Sequence, residues 1–210
     1  HAKVNVESIN TYVAGSKQAI YMREVGHEIG EREWVASVDV FNIDADQFLK
    51  KQPEQKWDAV VIDLPDPSSI ELSKLYSKQF YQSLRRYLTA DAYVAIQSTS
   101  PYHAKEAFLS IGETLTATGF KVLPYRQNIP SFGDWGYYLA WIGTRSSEAV
   151  KLQLSSLAEF KVDTGFITPE LLAASFAFGK GELVADNPCV NTLMQPCLLT
   201  NYLDRSWLLE

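Results

Sequence analysis

The residues best suited to chemistry lie between positions 60 and 67, VVIDLPDP, where two carboxylates stand three positions apart at the end of an apolar run. Pro65 precedes Asp66 and Pro67 follows it, so the segment is held open beyond a strand. Asp63 and Asp66 are then placed to face one cleft, where paired negative charge draws in a cation. A primary amine has a pKa of about 10, like lysine, and arrives protonated near neutral pH. A carboxylate must remove that proton before the nitrogen can attack an electrophile. The chemistry that fits is an amine substitution driven by positioning and proton removal, with no metal required. The same two residues also fit a plainer arrangement, with Asp63 capping a turn and Asp66 in solvent.

The elements around this pair point to an α/β fold. Residues 57–63 read as a strand, and the continuous run Ala59, Val60, Val61 and Ile62 suits one covered on both faces. From Ser73 to Leu88, the residues Leu75, Tyr76, Phe80, Leu84, Tyr87 and Leu88 recur at helical spacing and predict one amphipathic helix. Residues 92–97 form a second buried strand. Ser100 and Pro101 then cap a helix carrying Ala104, Ala107, Phe108, Ile111 and Leu115, which Gly119 ends. Residues 120–125 and 137–142 read as two further strands. This order implies a methyltransferase-like Rossmann sheet, mostly parallel with a closing antiparallel hairpin, and ligands collect at the carboxyl ends of such strands. Residues 1–143 are thus expected to be a nucleotide-binding domain, with the first 35 poorly defined. Residues 144–210 are expected to be a helical extension packed on it, with a linker at 143–148, a helix capped by Thr168 and Pro169, and a polar, irregular tail.

At the start of the chain, Val4, Val6 and Ile9 alternate like a short strand, and residues 36–41 resemble another that leads into Asp44. A nucleotide-binding domain of this class opens with a strand and a glycine-rich turn whose amides approach the ligand. None is visible, and the Ala14, Gly15, Ser16 stretch reads as an ordinary turn, so the fold is expected to be truncated on its N-terminal side. The composition, 46% hydrophobic and 21% charged, is that of a globular protein. A net charge of −6 counts against a general nucleic-acid binder and suits a cationic partner. Cys189 and Cys197 belong to no CxxC pair and read as reduced thiols, with too few companions for a metal. No apolar run approaches the roughly 20 residues that span a bilayer. A cytoplasmic chain is expected, including as the cytoplasmic domain of a membrane protein.

VVIDLPDP followed by LYSKQFY, residues 75–81, resembles the signature segment of the spermidine synthase family of polyamine aminopropyltransferases. NIDADQFL at 42–49, VAIQSTSP at 94–101, IPSFGDWGYYLA at 129–140 and VNTLMQPCLLTNYLDRSW at 190–207 resemble further family segments in the same order. The PSFGDWG wording is similar to that of bacterial members with a membrane-embedded N-terminal region, while the family's GGGDG loop has no counterpart here. The resemblance implies aminopropyl transfer from decarboxylated S-adenosylmethionine to putrescine or a related diamine, giving spermidine and methylthioadenosine. It implies no permanently bound cofactor, and a homodimer.

Carried over by residue, the resemblance makes Asp63 the general base and sets Asp66, Gln97, Tyr76, Phe132 and Trp135 on the amine side. It sets Asp44, Ala45, Leu64 and Pro67 around the nucleoside. Glu7 becomes the ribose-binding acid in one register; a second register instead aligns AIYMREV, residues 19–25, with the helix after the glycine loop, with Arg23 and Glu24 as its charged pair. Phe132 departs from the tyrosine usual in soluble members. Asp44 also fits a helix N-cap, and Tyr76 also fits core packing. Two other functions share the fold: a methyltransferase using S-adenosylmethionine, against which the Asp pair weighs, and a non-catalytic polyamine- or nucleoside-binding domain, which the missing glycine loop favours.

Overall fold

A computed structural model of the chain describes residues 10–15, 18–24, 36–41, 43–51, 56–131 and 133–203, the first three segments through their backbone. Its strands are β1 (Asn10–Gly15), β2 (Gln18–Glu24), β3 (Ala36–Phe41), β4 (Trp57–Ile62), β5 (Leu88–Gln97), β6 (Lys121–Ile129) and β7 (Gly133–Trp141). They form one seven-stranded sheet in the order β3-β2-β1-β4-β5-β7-β6. The helices are α1 (Ala45–Lys51), α2 (Ile70–Lys74), α3 (Lys78–Arg85), α4 (Lys105–Ala117), α5 (Ser147–Ser155), α6 (Pro169–Ser175) and α7 (Cys197–Leu203). The α/β class and the β6–β7 hairpin agree with the sequence.

Parallel pairing is confined to β1–β4 and β4–β5, so the sheet is mixed rather than mostly parallel. Only two residues separate β1 from β2, far short of the dozen or so a parallel crossover needs, and the pair closes as an antiparallel hairpin. Residues 18–24 are therefore a strand, which Ile20 and Tyr21 favour locally, and not the helix of the second register. Glu7, with Val4, Val6 and Ile9, lies outside the described residues, as does Phe132.

The main core lies on one face of the sheet. Val60, Ile62, Val94 and Ile96 pack there with Phe48, Phe80, Leu84, Phe108, Ile111 and Leu198. A smaller cluster on Leu123 and Trp141 takes in Val150 of α5 and Phe176 beside α6. Val61 is 41% exposed, so β4 is covered on one face where its sequence suggests two. The expected helix over 73–88 is two helices, because Ser77 begins a second one: its hydroxyl accepts from Phe80 N, as that of Ser69 accepts from Leu72 N. Ser100 does cap, accepting from the backbone N–H groups of Tyr102 and His103, but it caps a turn, and α4 starts later, at Lys105. Gly119, with φ of 83°, follows the end of α4 as expected, and Thr168 caps α6.

The tail is irregular from 176 to 196, as expected, but it is anchored and leads into α7. Buried Asn191 anchors it, donating through its side chain to Ser73 O at 2.8 Å and through its backbone to Thr114 Oγ1 at 2.9 Å. The chain around Asn191 folds back until the Cα atoms of Cys189 and Cys197 are 6.5 Å apart, and the two form a disulfide rather than remaining thiols. From Cys197 onward α7 packs against α4, where the Asn201 amide donates to Ser110 Oγ at 2.9 Å.

Candidate functional site

Strands β1, β4 and β5 run in one direction, and two reversals return β3 to that direction, so the carboxyl ends of all four lie on one edge of the sheet. Asp63 follows β4, Gln97 ends β5, and Asp44 follows β3 just before α1. Three interstrand spacings of about 4.8 Å separate β3 from β4, or roughly 14 Å along that edge.

Asp66 is the most heavily bonded of these carboxylates. Its Oδ1 accepts from Gln97 Nε2 at 2.9 Å. Its Oδ2 accepts from Tyr202 Oη at 3.0 Å and, more weakly, from Thr99 Oγ1 at 3.4 Å. Gln97 is held in turn by Tyr76, whose hydroxyl lies 2.9 Å from Gln97 Oε1, 3.1 Å from Pro65 O and 3.2 Å from Leu64 O. Tyr76 has one proton for three acceptors, and Gln97 is the nearest. With Oε1 turned to Tyr76, the Gln97 amide nitrogen is left to face Asp66, forming a relay of oriented donors from the core to the carboxylate. Tyr76 is fully buried. Burial pushes its hydroxyl well above the ordinary tyrosine range, and the charges of Tyr81, Asp66, Asp63 and Tyr202 push in the same direction, so it remains a donor at neutral pH.

Asp63 is different. Its side chain is exposed, and among the described residues it has no hydrogen-bond or ion-pair partner. Its charge reaches Tyr137, whose hydroxyl is raised first by burial and then by Asp63. Tyr137 stands opposite Gln97 across the β5–β7 ladder. Trp135, half-buried on β7, is next to Gly136, which exchanges backbone bonds with the end of β5: Ser98 N donates to Gly136 O at 2.9 Å and Gly136 N donates to Thr99 O at 2.7 Å. That exchange brings the hairpin to the Asp66 cluster. Thr99 adopts φ of 61°, a left-handed backbone that costs a β-branched residue on the order of 1–3 kcal/mol and is commonly stored at functional sites.

Asp44 caps α1, accepting from Gln47 N at 3.0 Å, so the N-cap role is present in the structure. Ala45 is buried behind it. The side chain of Leu64 is in the core, while Pro67 is buried in the loop. Sequence reasoning missed Thr99, Tyr137 and Tyr202. Thr99 lies two residues past Gln97, and Tyr137 alternates with Trp135 on one strand, so both had a local signal; Tyr202 lies 136 residues from Asp66 and had none beyond the tail's likeness to the family. Among the described residues no group of three or more His, Cys, Asp or Glu is placed to hold a metal, and no helix is long and apolar enough to cross a membrane.

Residues 13–153, about two thirds of the chain, match the family model of the spermine/spermidine synthase domain. The chain belongs to that family. It is 39% identical over 140 residues to a polyamine aminopropyltransferase of Shewanella oneidensis, covering 67% of this chain and 23% of that protein. It is 36% identical over 173 residues to one of Oceanobacillus iheyensis, covering 81% of this chain and 32% of the relative. The chain thus spans a third or less of the length of these curated relatives. A spermidine synthase solved in complex with the transition-state analogue AdoDATO shares the fold, with a TM-score of 0.50 and 19% identity over 67% of this chain and 47% of that one. The family match runs from β1 into α5 and takes in Asp44, Asp63, Asp66 and Gln97; Tyr202 lies beyond it.

Proposed function

We propose that the protein carrying this chain transfers an aminopropyl group from decarboxylated S-adenosylmethionine to putrescine or a related diamine. The products are spermidine and methylthioadenosine. The observation that carries this assignment is the unequal pair at the end of β4: Asp66 is fixed by neutral donors, while exposed Asp63 has no partner among the described residues. The names of the relatives agree with it.

In this mechanism Asp66 accepts one ammonium of the diamine and orients the other nitrogen. Asp63 removes that nitrogen's proton. The freed lone pair forms a bond to the carbon beside the sulfonium, the carbon–sulfur bond breaks, and sulfur leaves with the electron pair as a neutral thioether. Gln97 and Tyr76 keep Asp66 in place, and Trp135, with Phe132, walls the amine. Asp44, Ala45, Leu64 and Pro67 form the nucleoside side, with Glu7 as the ribose acid. Residues 1–143 form the nucleotide-binding domain and 144–210 an extension on it, in a homodimer that works in the cytoplasm, alone or as a membrane protein's cytoplasmic domain. The test is incubation of the full-length protein with putrescine and decarboxylated S-adenosylmethionine. Equal amounts of spermidine and methylthioadenosine are expected. No methylthioadenosine, or turnover of S-adenosylmethionine itself without any diamine, refutes the assignment.

A further inference from the structure

Among the described residues, the tail returns to the site through one side chain. Tyr202, on α7, is buried and donates to Asp66 Oδ2 at 3.0 Å. Its helix is keyed into place from both sides. Buried Leu198 donates its N–H to Asn191 Oδ1 at 3.4 Å, Asn191 ties to Ser73 of α2, and Asn201 ties to Ser110 of α4. The position of the Tyr202 hydroxyl is thereby set by α4 and by α2, the helix that follows the 63–67 loop.

A carboxylate offers about four lone-pair sites. Gln97, Thr99 and Tyr202 take three of those of Asp66, which leaves one direction for an incoming N–H. Without the tyrosine, Oδ2 has, among the described residues, only the Thr99 contact at 3.4 Å, too long to hold it firmly. We propose that Tyr202 is a positioning residue for diamine binding, which acts through Asp66 by fixing which of its lone pairs faces the substrate ammonium. This rests on the aminopropyl-transfer assignment. It adds a specificity element from the tail, outside the family-matched span.

The test is Tyr202→Phe in the full-length protein, alone and combined with Asp66→Asn. Tyr202→Phe keeps the ring, and a thermal melt checks that the fold is retained. Losing a hydrogen bond to a charged group should raise the KM for putrescine about 10-fold or more, with kcat within about 3-fold and methylthioadenosine affinity unchanged. In the Asp66→Asn background the second substitution should add nothing to KM, because the residue through which it acts has already changed. Should Tyr202→Phe not fold, Tyr202→His, which restores a donor at that site, serves in its place and should recover a KM nearer the wild type than Tyr202→Leu does. An unchanged putrescine KM, a loss confined to kcat, or additive effects in the double variant overturns the proposal while leaving aminopropyl transfer intact. A wild-type protein that neither turns over nor binds putrescine refutes the assignment on which the proposal rests.

Discussion

Removing the Tyr76 hydroxyl tests whether the buried relay serves the site or only the core. Tyr76→Phe preserves the ring in its fully buried position and deletes the donor 2.9 Å from Gln97 Oε1. The acceptor chiefly orphaned is Gln97 Oε1, the nearest of the three that compete for the single Tyr76 proton. Leaving buried acceptors unsatisfied costs about 1–3 kcal/mol, and a chain of this size loses about 2–4 °C of Tm per kcal/mol. If the hydroxyl were core packing alone, that would be the whole effect. In the relay, however, Tyr76 sets the Gln97 amide so that Nε2 faces Asp66, and a freed amide can rotate its oxygen toward the carboxylate. Asp66 then loses a donor and meets a like partial charge. The putrescine KM should rise about 10-fold while methylthioadenosine affinity changes less than about 2-fold. Steady-state kinetics across putrescine concentrations, with calorimetry for the nucleoside, separate the two. A lowered Tm with an unchanged putrescine KM would refute the relay.

Three further outcomes follow from other parts of the molecule. Asp44→Ala removes the cap on Gln47 N and should lower stability by about 1 kcal/mol, and it should also weaken methylthioadenosine binding; melting and calorimetry on one sample distinguish a cap from a ligand contact. Gly136→Ala places a Cβ 2.6 Å from the Phe108 ring and 2.9 Å from Pro101 Cδ, and should cost about 1–3 kcal/mol in a urea titration while disturbing the exchange with Ser98 and Thr99. The Cys189–Cys197 bridge should keep both of these cysteines from reacting with maleimide before reduction, and its short loop predicts a loss of roughly 2–3 kcal/mol on reduction.

What was legible in the sequence is local. The strand before Asp63, the two prolines around Asp66 and the position of Gln97 each follow from a few neighbouring residues, and the structure places them on one edge. The Gly119 stop was readable for the same reason, whereas Ser100, read as the cap of that helix, caps a turn before it. Where a short-range signal competed with a longer period, the period misled: Leu75, Tyr76, Phe80 and Leu84 keep helical spacing across a break that the Ser77 cap imposes. The hairpin of β1 and β2 was hidden because it joins the rest of the sheet through β4, whose residues Ala59 to Ile62 follow their β1 partners only after α1 and β3 have intervened in sequence. The disulfide and Tyr202 were hidden because both depend on Asn191 anchoring the tail between α2 and α4, contacts that span 77 and 118 positions.

The central claim is that Asp63 takes the proton and Asp66 holds the amine. The most direct measurement is turnover at saturating putrescine and decarboxylated S-adenosylmethionine for the wild type, Asp63→Asn and Asp66→Asn, with methylthioadenosine as the product followed. Asp63→Asn should keep its fold and its nucleoside affinity and lose at least about 10²-fold in kcat, whereas Asp66→Asn should lose chiefly in the putrescine KM. Wild-type kcat in Asp63→Asn would contradict the account.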